Sequence, residues 1–339
     1  VKAVRFHAHG GADVLRYEDA PDAAPASGRA VVRVRACALN HLDLWERRGI
    51  PRVTLPLPHI SGSDIAGEVV DDGGGAVAAG TRVMIQPGLR CGRCAACADG
   101  HDNQCDSYDV LGLKSDGGYA ELVSVPTENL IPIPGHVDVV TAAAFPLTFL
   151  TAWHMLRTRA ALQPGETVLI LAAGSGVGQA AIQIARHIGA RVLATSAPEK
   201  LERTRALGAD EVIDHYAGDF ATDVKRLTDG RGADVVVEHV GEATWSRSLR
   251  SLATGGRLVT CGATTGAKAA IDLRHLFARQ LSLLGCYMGR FAELREAAAL
   301  LFDGTFHPVI DAVFPLAEAA EAQRRLENRS QFGKIVLQV

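Results

Sequence analysis

The 339-residue chain exceeds the usual size of a single core, and its 47% of hydrophobic residues supply enough material to bury in two domains. Lys and Arg (35) nearly balance Asp and Glu (38), leaving a formal charge of −3 with no basic block; this excludes nucleic acid and anionic membrane surfaces as partners and favours small-molecule chemistry. No run approaches the roughly 18 apolar residues of a membrane helix or carries a cleavable signal pattern, and seven cysteines point to free thiols and metal ligands in a reducing cytoplasm.

Residues 1–35 alternate in the manner of strands, most clearly at 31–35 (VVRVR), with Gly10-Gly11 and residues 21–28 as turns. Residues 36–49 (ACALNHLDLWERRG) mix polar and apolar groups at helical spacing and stop at Gly49, and residues 56–70 (PLPHISGSDIAGEVV) hold polar groups in tight, Gly-rich connections. Residues 91–105 (CGRCAACADGHDNQC) form a C-x2-C-x2-C-x7-C cluster. Four thiolates so close in sequence can close a tetrahedral all-sulfur shell around one Zn²⁺ with no open position for water, which is the pattern of a structural site. The long last gap and the lack of Pro after Cys105 argue against an iron–sulfur cluster. Arg90, Arg93 and His101 are the nearby cations available to balance its negative charge.

Residues 142–154 (AAAFPLTFLTAWH) read as a helix broken or kinked at Pro146. Residues 167–186 (TVLILAAGSGVGQAAIQIAR) read as strand, tight turn and helix. With Gly174, Gly176 and Gly178 in the turn, the backbone can approach a pyrophosphate, whose charge the helix start favours. The strict G-x-G-x-x-G spacing is not met, because the register ending on Gly178 puts Ala173 and Ser175 at the first two glycine places. Strands at 191–195, 233–241 and 257–262, with a helix over 199–207, continue the alternation of a parallel, doubly wound sheet. Residues 280–285 (QLSLLG) read as an edge strand. From about Met288 the chain returns to the first domain, with a helix over 316–327 and a closing strand.

Together with residues 80–83 (GTRV), 117–121 (GGYAE), 208–210 (GAD), 255–259 (GGRLV) and 333–337 (GKIVL), these segments resemble the medium-chain dehydrogenase/reductase superfamily nearly end to end. The resemblance implies an α/β chain with a GroES-like, β-rich catalytic domain over residues 1–133 and 288–339, its structural zinc lobe at 90–106. A Rossmann domain with a doubly wound parallel sheet would then occupy 134–287, with the edge strand pairing two copies into a homodimer. The resemblance makes Cys91, Cys94, Cys97 and Cys105 zinc ligands, and it places Thr151, Ala173, Ser175, Gly176, Val177, Gly178, Gly241, Gly262 and Lys334 at the cofactor.

An NAD site usually carries a carboxylate at the end of its second strand, roughly 20 residues past the glycine turn. Here Thr195 and Ser196 stand there with Lys200 close behind, and His215 matches a position where zinc-free relatives put a phosphate-facing side chain. The expected cofactor is NADPH. In the zinc alcohol dehydrogenases Cys, His and Cys hold a catalytic metal beside an acid; those places fall here on Asn40, Ser63 and Leu147, with Asp64 as the acid, a set that cannot assemble the ion. Asn40 and Asp43 match polar residues of the quinone oxidoreductases. The expectation is an NADPH-dependent oxidoreductase that delivers hydride to a quinone or an α,β-unsaturated carbonyl without a catalytic metal, using a polar cluster of Asn40, His41, Asp43 and Ser63. The alternatives are an alcohol dehydrogenase whose metal site draws on Cys37, His41, His59 and Asp64, and a non-catalytic NADPH-binding protein.

Overall fold

The alternating run at 31–35 lies in the strand Arg29–Ala38, whose Arg33 and Arg35 face outward while Val32 and Val34 are buried. It is the centre of a seven-stranded sheet in the computed structural model, which describes residues Val1–Val339. The sheet runs Ile310–Pro315, Lys334–Gln338, Arg29–Ala38, Asp64–Asp71, Arg82–Ile85 and Leu130–Pro132, with Leu122–Pro126 paired to the first half of Arg29–Ala38. This β-rich unit comprises Val1–Leu147 and Arg290–Val339. Its strand Ile310–Pro315, parallel to the closing strand, had no counterpart in the sequence reading.

Two registers place the functional residues. The closing strand pairs Val336 with Ala38 and Leu337 with Cys37, and the Leu39 N–H donates to the Ile335 carbonyl. On the other side Ala38 pairs with Asp64. Asn40, Asp64 and Lys334 are thereby brought side by side from three distant parts of the chain.

The second unit, Thr148–Gly289, holds a six-stranded, all-parallel sheet. Its order is Glu211–Asp214, Arg191–Ser196, Thr167–Ile170, Ala233–Glu238, Leu252–Thr260, Ser282–Gly285, the 3-2-1-4-5-6 arrangement of a dinucleotide-binding fold. Leu169, Leu193, Val236, Leu258 and Phe220 form its core. No helix is long and apolar enough to cross a membrane.

Several boundaries differ from expectation. Residues 36–38 continue the strand, and the helix is His41–Arg48, ended by Gly49 at φ +91°. The division of the chain falls after Leu147 rather than near 133, because the short helix Val139–Ala143 packs on Arg29–Ala38 and Asp64–Asp71 with Ala142 and Ala143 fully buried. The return falls at Arg290. Pro146 does interrupt the helical run: it opens the next helix, Pro146–Trp153, at a position where its missing N–H costs nothing.

Candidate functional site

In the β-rich unit Asp64 organises a buried polar knot. Its Oδ1 accepts the Leu147 backbone N–H at 2.7 Å, and its Oδ2 accepts Asn40 Nδ2 at 2.9 Å and Lys334 Nζ at 2.8 Å. Lys334 Nζ also donates to Asn40 Oδ1 at 2.7 Å. Asn40 is 6% exposed, Lys334 2% and Asp64 not at all. The fold thus gathers the positions aligned with metal ligands, but the donors do not fit a Zn²⁺ ion. The Asn40 carbonyl is committed to Lys334, Leu147 has no lone pair, and an ammonium stands within hydrogen-bond distance of Asn40 and Asp64. Lys334, expected at the cofactor, has its charge turned to this knot.

The other expected catalytic residues separate. Asp43 is fully buried; its Oδ2 accepts the Asn40 N–H at 3.0 Å and the Tyr119 hydroxyl at 2.8 Å. Burial raises its pKa to about 6. Both contacts lie inside the packing, and one of them holds the Asn40 backbone. One helical turn on, Glu46 is also fully buried; burial, with Asp43 adding, pushes its pKa well up against the opposing effect of the Ser61 hydroxyl. Ser63 is fully buried with an unpartnered hydroxyl. His41 is half-buried, its ring edge-on to Trp45 at 5.1 Å. His59 takes no part in this knot: its Nε2 pairs with the Gly112 carbonyl at 2.7 Å, and burial lowers its pKa.

In the parallel-sheet unit the turn after Thr167–Ile170 fits a dinucleotide. Ser175 caps the helix Gly176–Ile188 by accepting the Gly178 N–H at 2.9 Å, leaving the first N–H groups, at Gly176 and Val177, without intrahelical partners. A Cβ on Gly178 would lie 2.5 Å from the Ala172 carbonyl oxygen and 2.9 Å from Ala173 Cα, so only glycine lets the helix approach the strand this closely.

Thr195 and Ser196 have partners within the protein. Both are buried; the Thr195 hydroxyl accepts the Ala172 N–H at 3.1 Å and its carbonyl accepts the Ala173 N–H at 2.9 Å. Ser196 Oγ accepts from Thr204. These hydroxyls therefore hold the turn and the strand end in shape. Lys200 and His215 are half-buried at the same edge. Burial lowers the pKa of His215, and Lys200 and Arg247 lower it further, which identifies Arg247 as a cation of this neighbourhood. Arg247, on the helix Glu242–Ser251, lies 4.7 Å over the Phe220 ring. Sequence reading missed it because it follows a different strand of the sheet.

Gly241, at φ +96°, and Gly262 permit close loop packing: added Cβ atoms would lie 2.7 Å from the Gly266 oxygen and 3.0 Å from the His239 oxygen. Thr151 is buried with an unpartnered hydroxyl, a group suited to meeting a ligand.

The cysteine lobe also fits its metal. The Sγ atoms of Cys91, Cys94, Cys97 and Cys105 lie within 4.8 Å of one another, Cys94 to Cys97 at 3.5 Å and Cys91 to Cys97 at 4.0 Å. A tetrahedral Zn–S shell sets these separations near about 3.8 Å. The lobe is tied to the returning chain: Asp102 Oδ2 accepts the Phe291 N–H at 2.9 Å, and the Arg90 guanidinium stacks 4.0 Å over the Phe291 ring while bonding Glu128. The Arg90 charge is thus shared with Glu128 and the aromatic face.

Residues 26–135 match the alcohol dehydrogenase GroES-like domain family, and residues 176–303 match the zinc-binding dehydrogenase family. A solved structure of an NAD-dependent alcohol dehydrogenase is 46% identical, covers 100% of each chain and superposes with a TM-score of 0.97. The quinone oxidoreductase of Pseudomonas aeruginosa is 34% identical over 99% of both chains. The 2-haloacrylate reductase of a Burkholderia species is 31% identical over 99% of this chain and 98% of its own length. The chain belongs to the medium-chain dehydrogenase/reductase superfamily and is an NAD(P)H-dependent oxidoreductase.

Proposed function

We propose that the protein is an NADPH-dependent reductase that acts on a conjugated acceptor, a quinone or an α,β-unsaturated carbonyl, with no metal in the reaction. The observation that carries this reading is Lys334 Nζ bonded to both Asn40 and Asp64 where a Lewis-acid metal would need vacant donors. The bound nicotinamide supplies the hydride. Conjugation spreads the charge that develops on the acceptor, so hydrogen bonds suffice to meet it, and Asn40 and Lys334, with Ser63 beside Asp64 in the sequence, are the polar groups offered for it. Asp43 holds the Asn40 backbone, and His41, half-buried at the start of the same helix, is the member open to solvent for proton exchange.

The NADPH preference is supported by the absence of a carboxylate at Thr195, by the cations Lys200 and Arg247, and by the half-buried His215 imidazole nearby. One zinc per chain, in the cysteine lobe, is supported by its sulfur geometry. Homodimer formation through the edge strand Ser282–Gly285 is supported by exposed apolar side chains beside it in sequence: Leu273 (66%), Phe277 (69%) and Tyr287 (56%). The seven cysteines, none of them in a disulfide, suit the reducing cytoplasm.

The 46% identity to an alcohol dehydrogenase structure favours a second reading, oxidation of an alcohol at a metal site of unfamiliar composition. Rates of NADPH and NADH oxidation across a panel of quinones, enals, ketones and aldehydes separate the two. Turnover confined to quinones and enals supports the proposal. Turnover of simple alcohols, with two metals per chain, establishes the second reading.

A further inference from the structure

We infer that His239 holds the cofactor, its free Nδ1 accepting a hydrogen bond from a ribose hydroxyl in the nicotinamide half of the bound nucleotide. The inference rests on the chain being an NAD(P)H-dependent oxidoreductase, and not on which acceptor it reduces.

His239 directly follows the strand Ala233–Glu238, and Leu171 directly follows Thr167–Ile170. These two strands lie side by side in the parallel-sheet unit, at the place where the order 3-2-1-4-5-6 reverses. The crevice outside the carboxyl ends of the strands at such a point is where an open α/β sheet binds its ligand. His239 Nε2 pairs there with the Leu171 carbonyl at 2.9 Å, just before the glycine turn opens at Ala172. A carbonyl can only accept, so Nε2 carries the proton, and in the neutral ring Nδ1 keeps its lone pair. Burial lowers the pKa of His239 against the opposing charge of Glu238, so the ring is neutral at pH 7.

Nδ1 has no partner in the protein. Unlike Nδ1 of His59 it is not sealed in the packing, and the ring as a whole is half-buried. The bond to Leu171 is not needed to join the two strands, because the Leu171 N–H already donates to the Val237 carbonyl at 3.2 Å. What it adds is a fixed direction for the ring. The backbone behind the ring is held as firmly. Glu238, fully buried, accepts the Val240 and Gly241 N–H groups at 2.7 and 3.0 Å through Oε1 and the Ser248 hydroxyl at 2.6 Å through Oε2. Gly262, past the next strand, packs against the same residue: an added Cβ would lie 3.0 Å from the His239 oxygen and 3.5 Å from its Cβ. An acceptor fixed in this way loses little freedom when a nucleotide arrives.

The lone pair also selects its partner. It repels phosphate oxygens, which belong with the Gly176 and Val177 N–H groups at the helix start. The adenosine ribose goes to the end of the second strand, on the far side of the first strand from His239. The part of the nucleotide that meets the fourth strand is therefore the nicotinamide half, whose first donors beyond the pyrophosphate are the ribose hydroxyls.

The test measures binding by the full chain and needs no turnover. His239→Gln places its amide nitrogen where Nε2 stands, keeping the bond to Leu171 and losing the acceptor. His239→Asn does the reverse, since its shorter amide reaches the Nδ1 position. NADPH is titrated by its fluorescence. ADP-ribose, which carries that ribose without the nicotinamide, and ADP, which carries neither, are titrated by displacing NADPH. Removing one neutral hydrogen bond in His239→Gln should raise the Kd about 3–10-fold for NADPH and ADP-ribose and leave that of ADP within about twofold of wild type. His239→Asn should bind NADPH and ADP-ribose more tightly than His239→Gln does. An unchanged NADPH Kd in His239→Gln overturns the inference, as does His239→Asn binding no tighter than His239→Gln. A loss shared equally by ADP would mark the ring as a support of the turn alone, and a loss for NADPH but not for ADP-ribose would move the contact to the carboxamide; either overturns it. A wild type that binds no NADPH or NADH overturns the cofactor reading, and this inference with it.

Discussion

Replacing Gly178 by Ala tests whether the glycine turn is held by close helix–strand packing. The new Cβ would fall 2.5 Å from the Ala172 oxygen and 2.9 Å from Ala173 Cα. Both are backbone atoms, so no side chain can swing away and the helix Gly176–Ile188 must move off the strand. Overpacking of this kind costs about 1–3 kcal/mol. The displaced Gly178 N–H also loses the Ser175 cap at 2.9 Å, worth about 1 kcal/mol, while the better helix propensity of Ala returns about 0.5–1 kcal/mol. The net, about 1–3.5 kcal/mol, lowers the melting temperature by about 2–14 °C at about 2–4 °C per kcal/mol. Nucleotide affinity should fall too, by roughly tenfold for every 1.4 kcal/mol by which phosphate binding weakens. Calorimetry and fluorescence titration measure both. Gly135→Ala is the control: nothing lies within 4 Å of its Cβ, and it should change stability by less than about 0.5 kcal/mol. A Gly178→Ala protein with wild-type melting and wild-type nucleotide affinity would refute the packing argument.

Three further outcomes are expected. Lys200→Ala should cost about 1.5–3 kcal/mol in NADPH binding and little in NADH binding, with Arg247→Ala acting in the same direction; an unchanged ratio of kcat/KM for the two cofactors would remove both residues from the phosphate site. Asp102→Ala should leave the zinc content at one per chain while speeding amide exchange in the first turn of the helix Phe291–Phe302, since it deletes the acceptor of the Phe291 N–H; unaltered exchange there would disconnect the lobe from that helix. The third concerns pH. The pKa of Asp43 rises from 3.8 to about 6, so the fold prefers its protonated form: the contribution, about 3 kcal/mol, is complete below pH 3.8 and lost as pH rises through about 6. Glu46, also raised by burial, acts in the same sense. Glu46→Gln should therefore melt higher relative to wild type at pH 8.5 than at pH 5, and a gap that stays constant or narrows would show Glu46 to be ionised without penalty.

What could be read in the sequence was local. The cysteine cluster, the Ser175–Gly178 turn and the Gly49 helix stop each occupy a few consecutive residues, and local chemistry decides their structure. The polar knot is the opposite case: Lys334 meets Asp64 across 270 residues and Asn40 across 294, and only the strand registers bring them together. The family resemblance placed Lys334 at the cofactor and said nothing of these partners. Asp43 was singled out by its match to polar residues of the quinone oxidoreductases and Ser63 by its place at a metal-ligand position, and neither match could show that tertiary packing encloses both. Thr195 was read by its distance from the glycine turn, which fixed its strand position correctly but could not reveal that its hydroxyl holds Ala172.

The central claim, reduction of a conjugated acceptor without a catalytic metal, is tested most directly by a chelator time course. Zinc per chain, circular dichroism and quinone or enal reduction are followed on the same samples. The account predicts one zinc per chain at the start and activity that persists for as long as that zinc and the fold persist. Activity that vanishes while one zinc and the fold remain would reveal a second, catalytic metal and contradict it.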